Sequence, residues 1–478
     1  MLTLAHFFQV LAGVTLGGET AVTNVITDSR DAQPGSLFVA LPGEKVDGHE
    51  YVAQAFEGGA VAALVERPPL QSEVANYHTL DLRQPDALTE VLTIPTPVCL
   101  VVDDTLAALQ AAAQAWREQF NTRIIGITGS VGKTSTKELV YSVLSQRYRT
   151  LKSPGNKNSI IGLPPVLLDL RPEHERAVLE MSMYVPGEIA RLCELAPPSV
   201  GVVTIIGPVH LERAGSMEAI VAAKQELIEA LPAEGVAILN KDDKRVMSMA
   251  NHTDARIFTY GLDPTADLWA DEIHSMGLDG MRFTLHHATE TLRVQVPLIG
   301  RHSVHTALRA AAVGLVEGLA WDEIIAGLQT QSAAQLRMVA APGPHGSIII
   351  DDTYNASPDS TMAALNLLAD LNGRHVAVLG DMLELGYMEE AGHRLVGRRA
   401  ADVAQILVAV GQRGYWIGEE ALKVGMNPQN VFLAEDTETA TKFLEELIEA
   451  NDVVLIKGSL GMRMDRIVTA IGTDGDKL

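Results

Sequence analysis

The chain has 478 residues, with 37 Lys plus Arg against 60 Asp plus Glu, a formal net charge of −23 at pH 7. This length predicts about three domains, and the negative charge argues against general binding to nucleic acid or anionic membranes. The two cysteines provide no disulfide framework, and no apolar run approaches the ~20 residues of a membrane span. We therefore expect a cytoplasmic protein.

Residues 1–104 are predicted to form a small α/β domain that begins with an amphipathic helix. A strand over Leu37–Leu41 and a polar, Gly-rich loop over residues 43–49 follow. Ser29, Arg30 and this loop are candidates to contact a polar anionic ligand, because a guanidinium group suits phosphate. The alternative is an ordinary solvated loop.

The most informative stretch is GITGSVGKTSTKE, residues 126–138. It follows a β-branched run and precedes a segment with helical spacing, a pattern that predicts strand, Gly-rich turn and helix. Such a turn points backbone N–H groups at a phosphate beside a helix N-terminus. Lys133 is then expected to reach the β- and γ-phosphates, and the Thr134 hydroxyl to bind Mg²⁺. The residues predicted to surround the nucleotide phosphates are Thr128, Gly129, Ser130, Val131, Gly132, Lys133, Thr134 and Ser135.

The segment 105–330 is predicted to be a mostly parallel sheet with helices on both faces, carrying this P-loop. The predicted elements are a helix at Thr105–Phe120 and strands at 124–127, 177–181, 200–206 and 235–239. Ligands bind such sheets at the carboxyl ends of the strands. Glu180 and His210 stand at two of these ends, so we predict that they converge with the P-loop on one site.

A magnesium site in this domain lacks the usual aspartate, because Asp169 is the only one between the P-loop and residue 240. Glu180 is therefore the best available ligand and His210 the second. A solvated strand end and a satisfied loop histidine are the alternatives. Lys224 lies in an amphipathic helical pattern that by itself predicts a surface lysine.

The remaining sequence predicts an antiparallel hairpin and a second doubly wound unit. Residues 267–298 alternate apolar and polar side chains, which adds a hairpin to the parallel sheet. Residues 331–478 repeat a strand and helix rhythm and are predicted to be Rossmann-like in layout. Polar clusters at 351–360 and 457–464 follow the first and last of these strands, which suggests a ligand-binding face.

Together these motifs resemble the Mur ligase family over all three predicted domains. The family implies ATP-dependent joining of D-alanyl-D-alanine to UDP-N-acetylmuramoyl-tripeptide through an acyl phosphate, in peptidoglycan precursor synthesis. It also implies three domains, for the UDP-linked substrate (1–104), for ATP (105–330) and for the dipeptide (331–478). The motifs that carry the resemblance are TDSR, PGSLFVALPGEKVDGH, GITGSVGKTSTKE, GNKNSIIGLP, EMSM, GPVHLERAGSMEAIVAAKQEL, LNKDD, GRHSVHTALRAA, DDTYNASPDS, LGDMLELG and KGSLGMRM.

The resemblance also implies roles for individual residues. Catalytic roles fall to Lys133, Glu180, His210 and Lys224, and magnesium ligands to Thr134, Glu180, His210 and Lys224. Lys224 is implied to be carbamylated, which converts a cation into a carboxylate-like ligand. Asn240, Arg337 and Asp352 are implied to contact ATP, Ser29, Arg30, Asn156 and Asn158 the UDP-linked substrate, and Tyr354, Asn355, Lys457 and Ser459 the dipeptide. The cofactors are then ATP and Mg²⁺, and we expect a monomer that closes at a hinge near 325–340.

The sequence departs from the family pattern at two motifs. The family's HNxxN helix start is here His302, Ser303 and Thr306, so both asparagines are absent and adenine contact from this helix is in question. The last motif usually reads KGSR, and Leu460 replaces the arginine.

Two alternatives to the dipeptide ligase are open. A sister Mur ligase that adds another amino acid is one, although the DNPR motif common in one such ligase is missing. The other is a GTP-binding switch, because Asn240, Lys241 and Asp243 spell NKxD after an apolar strand. That class of protein also needs Asp-x-x-Gly between its P-loop and NKxD, and the chain has none.

Overall fold

The computed structural model describes residues 1–15, 20–43, 46–69, 77–84, 94–209, 211–330 and 339–472. The chain divides into two compact units. Unit 1 comprises residues 1–124, 149–181 and 190–198, and unit 2 comprises residues 125–148, 182–189 and 199–478. Within the described ranges, no helix is both long and apolar enough to cross a membrane.

The N-terminal part of unit 1 is an α/β layer, as predicted. Its strands lie in the order β1-β2-β3-β5-β4, and every neighbouring pair is parallel. Phe38, Val65 and Cys99 are buried in its core. The predicted N-terminal helix is confirmed. The elements are α1 (Leu4–Ala12), β1 (Asn24–Ile26), β2 (Ser36–Val39), α2 (Val52–Glu57), β3 (Ala62–Val65), β4 (His78–Asp81), β5 (Val98–Val101) and α3 (Thr105–Arg117).

The middle of the chain alternates strands and helices, because buried β-branched runs are separated by amphipathic segments. The four predicted strands are confirmed within a few residues. The elements are β6 (Arg123–Thr128), α4 (Lys133–Leu144), β7 (Thr150–Lys152), α5 (Leu163–Leu168), β8 (Arg176–Glu180), α6 (Glu188–Leu195), β9 (Val200–Val203), α7 (Leu211–Ala214), α8 (Met217–Glu229), β10 (Val236–Asn240), α9 (Lys244–Ser248), β11 (Arg256–Gly261), β12 (Leu268–Ser275), β13 (Met281–His287), β14 (Glu290–Val296), α10 (Ser303–Val316) and α11 (Trp321–Leu328).

In unit 2 the strands β6, β9, β10, β11 and β12 are parallel neighbours in that order. The antiparallel pair β13 and β14 continues the sheet beyond β12, which confirms the predicted hairpin. Its register sets Phe283 opposite Val294 and Leu285 opposite Leu292, because alternation places these apolar side chains on one face. In unit 1, β7 and β8 are parallel neighbours.

The C-terminal part of unit 2 is a six-stranded sheet in the order β15-β16-β20-β17-β18-β19. Its first strand, β15, is antiparallel and was not predicted, because four residues ending in Pro342 give little strand signal. Proline is tolerated on such an edge strand. The elements are β15 (Val339–Pro342), β16 (Ile348–Asp352), α12 (Pro358–Ala369), β17 (Arg374–Gly380), α13 (Glu389–Val403), β18 (Ile406–Val410), α14 (Gly414–Lys423), β19 (Val431–Ala434), α15 (Thr437–Leu447), β20 (Asp452–Lys457) and α16 (Asp465–Ile471).

Candidate active site

The predicted P-loop connects β6 to α4. Gly129 has φ +139° and Gly132, the N-cap of α4, has φ +84°. L side chains rarely adopt these values, so the loop needs glycine at both positions. A Cβ atom on Gly129 would also overlap the hydroxyl of Thr204. The strand, turn and helix predicted from the sequence are therefore confirmed.

The loop that follows β9 forms hydrogen bonds with the P-loop. The Ser130 amide donates to the Ile205 carbonyl at 2.7 Å, and its hydroxyl donates to the Gly207 carbonyl at 3.0 Å. Thr204 donates from its hydroxyl to the Val131 carbonyl at 2.7 Å. These contacts occupy loop carbonyls and hold the backbone in one conformation. Sequence reasoning missed Thr204, although its place directly after a buried strand was a usable signal.

Lys133 is the first residue of α4, and its Nζ donates to the Gly129 carbonyl at 2.9 Å and to the Ser130 carbonyl at 3.5 Å. The ammonium group is thus held over the loop where a phosphate would bind. Thr134 and Ser135 follow in the first helical turn. The Thr128 hydroxyl is buried, and it has no hydrogen-bond partner among the described residues.

Glu180 ends β8 in unit 1, and it is 1% exposed. Its Oε1 accepts a hydrogen bond from Asn158 Nδ2 at 2.8 Å, and its amide donates to the Ser153 hydroxyl at 3.2 Å. A predicted metal ligand and a predicted substrate-binding residue are therefore in direct contact. Asn156 is exposed.

Lys224 is 1% exposed on α8, so the prediction of a surface lysine from the helical pattern is wrong. The buried face of this helix is wider than the apolar face that the sequence pattern indicated. Ala223, the residue before Lys224, is buried as well. His210 and Arg337 lie outside the described residues, as do residues 331–338 of the predicted hinge at 325–340. Among the residues that are described, no group of three His, Cys, Asp or Glu side chains forms a metal site.

The NKxD sequence does not present its polar groups as a guanine site would require. Asn240 is buried, donating to the Thr204 carbonyl at 3.3 Å and accepting from the Asp242 amide at 3.1 Å. Asp243 accepts from the Arg245 and Ile206 amides, both at 2.9 Å. Because these side chains organise their own loop, the geometry disfavours the GTP-binding switch.

In the C-terminal sheet, β16 and β20 bring two of the predicted site residues together. Lys457 Nζ donates to Asp352 Oδ2 at 2.5 Å and to the Asn355 carbonyl at 2.8 Å. The Ser459 hydroxyl is buried and accepts from the Leu383 amide at 2.9 Å. Tyr354 lies half-buried on the same loop, whereas Leu460, at the position of the family's arginine, is 55% exposed.

The two candidate residues of the N-terminal domain differ in environment. The Ser29 hydroxyl is buried and donates to Gln54 Oε1 at 2.6 Å. Arg30 is exposed, and its guanidinium contacts Asp28 at 2.9 Å and 2.5 Å. This hydrogen-bonded pair lowers the pKa of the Asp28 carboxyl to about 2. Arg30 is thus presented to solvent with its charge partly balanced.

Helix α10 adds a residue that sequence reasoning missed. Arg309 is 5% exposed, and its Nη2 lies 3.2 Å from the point that a Cβ atom on Gly132 would occupy. Nη2 donates to the Thr306 hydroxyl at 2.8 Å, while Ser303 is buried against the Gly300 carbonyl. The usable signal was a single arginine in a helix whose other residues, His305 apart, are apolar or small and polar.

Family models and known proteins agree with this arrangement. The model of the Mur ligase family catalytic domain matches residues 21–117, that of the Mur ligase middle domain matches 127–314, and that of the Mur ligase glutamate ligase domain matches 336–460. The UDP-N-acetylmuramoyl-tripeptide–D-alanyl-D-alanine ligase of Escherichia coli is 36% identical over 480 residues, covering 99% of each chain. The chain belongs to the Mur ligase family.

Other members of the Mur ligase family show the same similarity. The UDP-N-acetylmuramoyl-tripeptide–D-alanyl-D-alanine ligase of Bacillus subtilis is 35% identical over 94% of this chain and 93% of its own. A crystal structure of MurF from Acinetobacter baumannii has a TM-score of 0.81 and 31% identity, covering 98% of both chains. That of MurF ligase from Thermotoga maritima in complex with ADP has a TM-score of 0.75 and 25% identity, covering 94% of this chain and 97% of its own. The resemblance of the motifs to the family is confirmed.

Proposed function

We propose that this Mur ligase joins D-alanyl-D-alanine to UDP-N-acetylmuramoyl-tripeptide at the expense of ATP, in the synthesis of a peptidoglycan precursor. The observation that carries the proposal is full-length similarity, above 30% identity, to ligases that bear this name. The P-loop geometry around Gly129, Gly132 and Lys133 is its structural counterpart.

The reaction has two covalent steps. A carboxylate oxygen of the tripeptide attacks the γ-phosphorus of ATP, the bond from that phosphorus to the bridging oxygen breaks, and ADP leaves. The amine of the dipeptide then attacks the carbonyl carbon of the acyl phosphate, phosphate leaves, and the nitrogen releases a proton. We assign to Lys133 the neutralisation of negative charge on the transferred phosphoryl group, because it already lies over the loop. The protein otherwise holds the reacting groups at attacking distance.

The oxygen ligands of the candidate site are of the type that Mg²⁺ prefers. The Thr134 hydroxyl lies in the first turn of α4, and Glu180 is a buried carboxylate at a strand end. We propose that these two residues hold Mg²⁺, together with His210 and a carbamate on Lys224. When bound, the ion would offset the repulsion between the phosphates and the attacking carboxylate.

Carbamylation of Lys224 is supported by its burial. The side chain is 1% exposed. If it lies at the proposed Mg²⁺ site, an unmodified ammonium group would repel the ion. Addition of CO₂ to the neutral amine, with loss of one proton, gives an anionic carbamate at the end of the same stem. The modified residue then supplies oxygen atoms of the type that Glu180 supplies.

The other substrate contacts are proposed at the positions named from the family pattern. Asn240, Arg337 and Asp352 would serve ATP, and Ser29, Arg30, Asn156 and Asn158 the UDP-linked substrate. Tyr354, Asn355, Lys457 and Ser459 would serve the dipeptide. We also propose a cytoplasmic location, because the reaction consumes ATP and both cysteines are free thiols.

The direct test is release of ADP and phosphate with defined acceptors. The purified chain is supplied with ATP, Mg²⁺ and UDP-N-acetylmuramoyl-tripeptide, and then with D-alanyl-D-alanine or single amino acids. We expect turnover with the dipeptide and formation of the UDP-linked pentapeptide, identified by its mass. Turnover with a single amino acid but not with the dipeptide would assign the chain to a sister ligase.

A further inference from the structure

The guanidinium group of Arg309 is buried beside the P-loop, and no carboxylate of the described residues forms an ion pair with it. Its hydrogen bonds in the described part of the chain run to two hydroxyl groups, Thr306 Oγ1 at 2.8 Å and the Tyr260 phenol at 3.4 Å. Its Nε is buried and has no hydrogen-bond partner within the described ranges. Burying an ionised group costs several kcal/mol unless charge or hydrogen bonds compensate it. Two neutral hydroxyls, and the Tyr260 ring whose centroid lies 5.8 Å from the Arg309 Cζ atom, leave this guanidinium only partly compensated.

The carboxylates whose charge reaches this region are engaged elsewhere. Asp242 and Asp243 both act on the Tyr260 phenol. However, Asp242 accepts from His305 Nε2 at 2.7 Å, and Asp243 caps α9 through the Arg245 amide at 2.9 Å. The Arg309 cation is therefore not paired with either of these carboxylates, because both are bonded to other groups.

His305, the other basic residue of α10, is paired with Asp242, which leaves Arg309 as the buried cation of this helix that no described carboxylate pairs. A buried cation of this kind favours an anion as its partner. The nearest feature built to accept one is the N-terminus of α4, where the Arg309 Nη2 atom lies 3.2 Å from the position of a Gly132 Cβ.

A chain of hydrogen bonds also connects Arg309 to the P-loop. The Tyr260 hydroxyl, which accepts from Arg309, donates to the Thr204 carbonyl at 3.0 Å. Thr204 in turn donates to the Val131 carbonyl at 2.7 Å. The guanidinium is therefore attached to the same framework that fixes the loop, and its planar fork is oriented before any ligand arrives.

We propose that Arg309 is a nucleotide-binding residue that donates to the phosphate chain of ATP beside Gly132. A guanidinium group presents several N–H donors to phosphate oxygens, and a charge-assisted contact of this kind is stronger than a neutral hydrogen bond. This residue gives α10 a nucleotide contact although Ser303 and Thr306 replace the asparagines of the HNxxN pattern. The inference rests on the proposed use of ATP at this loop.

The test measures ligand binding directly, so that it does not depend on the ligase reaction. Isothermal titration in the presence of Mg²⁺ gives the affinity of the full chain for ADP and for inorganic tripolyphosphate. We expect Arg309→Met to weaken both by about 10- to 100-fold, the usual effect of losing a hydrogen bond to a charged group. Arg309→Lys, which keeps the charge but not the fork, should lie between. Arg282→Met, a matched change at an exposed arginine bonded to Gln295, should bind like the unmodified chain.

Two outcomes would overturn the inference. Unchanged affinity for both ligands in Arg309→Met and Arg309→Lys would make the residue a packing element only. The second outcome is a loss of affinity for ADP with no loss of affinity for tripolyphosphate, together with a changed ratio of ADP to GDP affinity when GDP is titrated as well. That result would assign the guanidinium to the base instead of the phosphates. If the unmodified chain binds both ligands but joins no peptide, the proposed ligase activity fails while the assignment of Arg309 stands. Circular dichroism of each variant verifies that it is folded.

Discussion

Lys457 donates a 2.5 Å hydrogen bond to Asp352, which joins the carboxyl ends of two adjacent strands of the C-terminal sheet. The family resemblance implies different ligands for these residues, ATP for Asp352 and the dipeptide for Lys457. Their pairing means that each orients the other, since both side chains are largely buried. A ligand group that binds one of these side chains must either break this ion pair or bind while the pair stays intact.

We expect Lys457→Met to lower the free energy of unfolding by ~3–5 kcal/mol, because it removes the ammonium group that is ion-paired with the largely buried Asp352 carboxylate. Denaturant unfolding followed by circular dichroism measures the effect. The double variant Lys457→Met/Asp352→Leu should recover most of the loss, since it removes both charges. A double variant as unstable as the single one would show that the ion pair is not the cause.

The Lys133→Ala variant should lose at least ~3 kcal/mol of transition-state stabilisation, by analogy with removal of one charge-stabilising donor. Its Nζ donates to the Gly129 and Ser130 carbonyls of the same loop, so circular dichroism of the variant verifies that the fold persists. The rate of ADP release at saturating substrates is the measurement. Lys244→Ala, at an exposed position on α9, is the control and should keep its activity. Comparable rates for both variants would remove Lys133 from the reaction.

Gly129→Ala should weaken ADP binding by at least tenfold. The φ of +139° is strained for alanine, which costs of order 1–3 kcal/mol, and the added Cβ would overlap the Thr204 hydroxyl. Gly425→Ala is a matched control, because Gly425 also has a positive φ (+105°) but no atom lies within 4 Å of its added Cβ. Titration with ADP compares the two, and equal affinities would mean that the overlap with Thr204 is harmless.

Carbamylation of Lys224 predicts chemical rescue. Lys224→Ala should be inactive and should regain activity with short-chain carboxylates, which replace the missing carbamate oxygens. Lys224→Arg keeps a positive charge but has no amine that adds CO₂, so carboxylates should not restore it. A carbamate signal after addition of ¹³C-bicarbonate, present in the unmodified chain and absent in both variants, provides a readout independent of activity. Full activity of Lys224→Ala without any additive contradicts the role of the carbamate.

The Cys99 thiol predicts a defined pH dependence of stability. Burial raises the pKa of this thiol to about 12, from an ordinary value of 9.0. Because the folded state keeps the proton that the unfolded state loses, this stabilisation is complete below pH 9 and is lost as pH rises from 9 towards 12. The contribution of this thiol falls by about 1.4 kcal/mol per pH unit in that range. Urea unfolding at pH 8, 9 and 10 measures the free energy of unfolding of the unmodified chain and of Cys99→Ala. Above pH 9 this free energy should fall less steeply with pH in Cys99→Ala, by this amount.

Local sequence patterns were sufficient for the architecture near the P-loop. A β-branched run, two glycines and a helical segment specify β6, the turn and α4, because each depends on neighbours within a few residues. The hairpin of β13 and β14 was predictable for the same reason, since strict alternation permits one register that buries Phe283 and Leu285. Edge strand β15 escaped prediction because four residues ending in proline resemble a turn.

The sequence by itself determined the family, the P-loop and the residue types available for phosphate chemistry, since these are encoded in short contiguous motifs. Tertiary structure alone decided that Lys224 is buried, that Arg309 lies beside Gly132, and that Lys457 pairs with Asp352, 105 positions away in the chain. Charge and burial of these side chains depend on which helices and strands become neighbours. That information is distributed over the whole chain, and it becomes visible only when distant segments pack together.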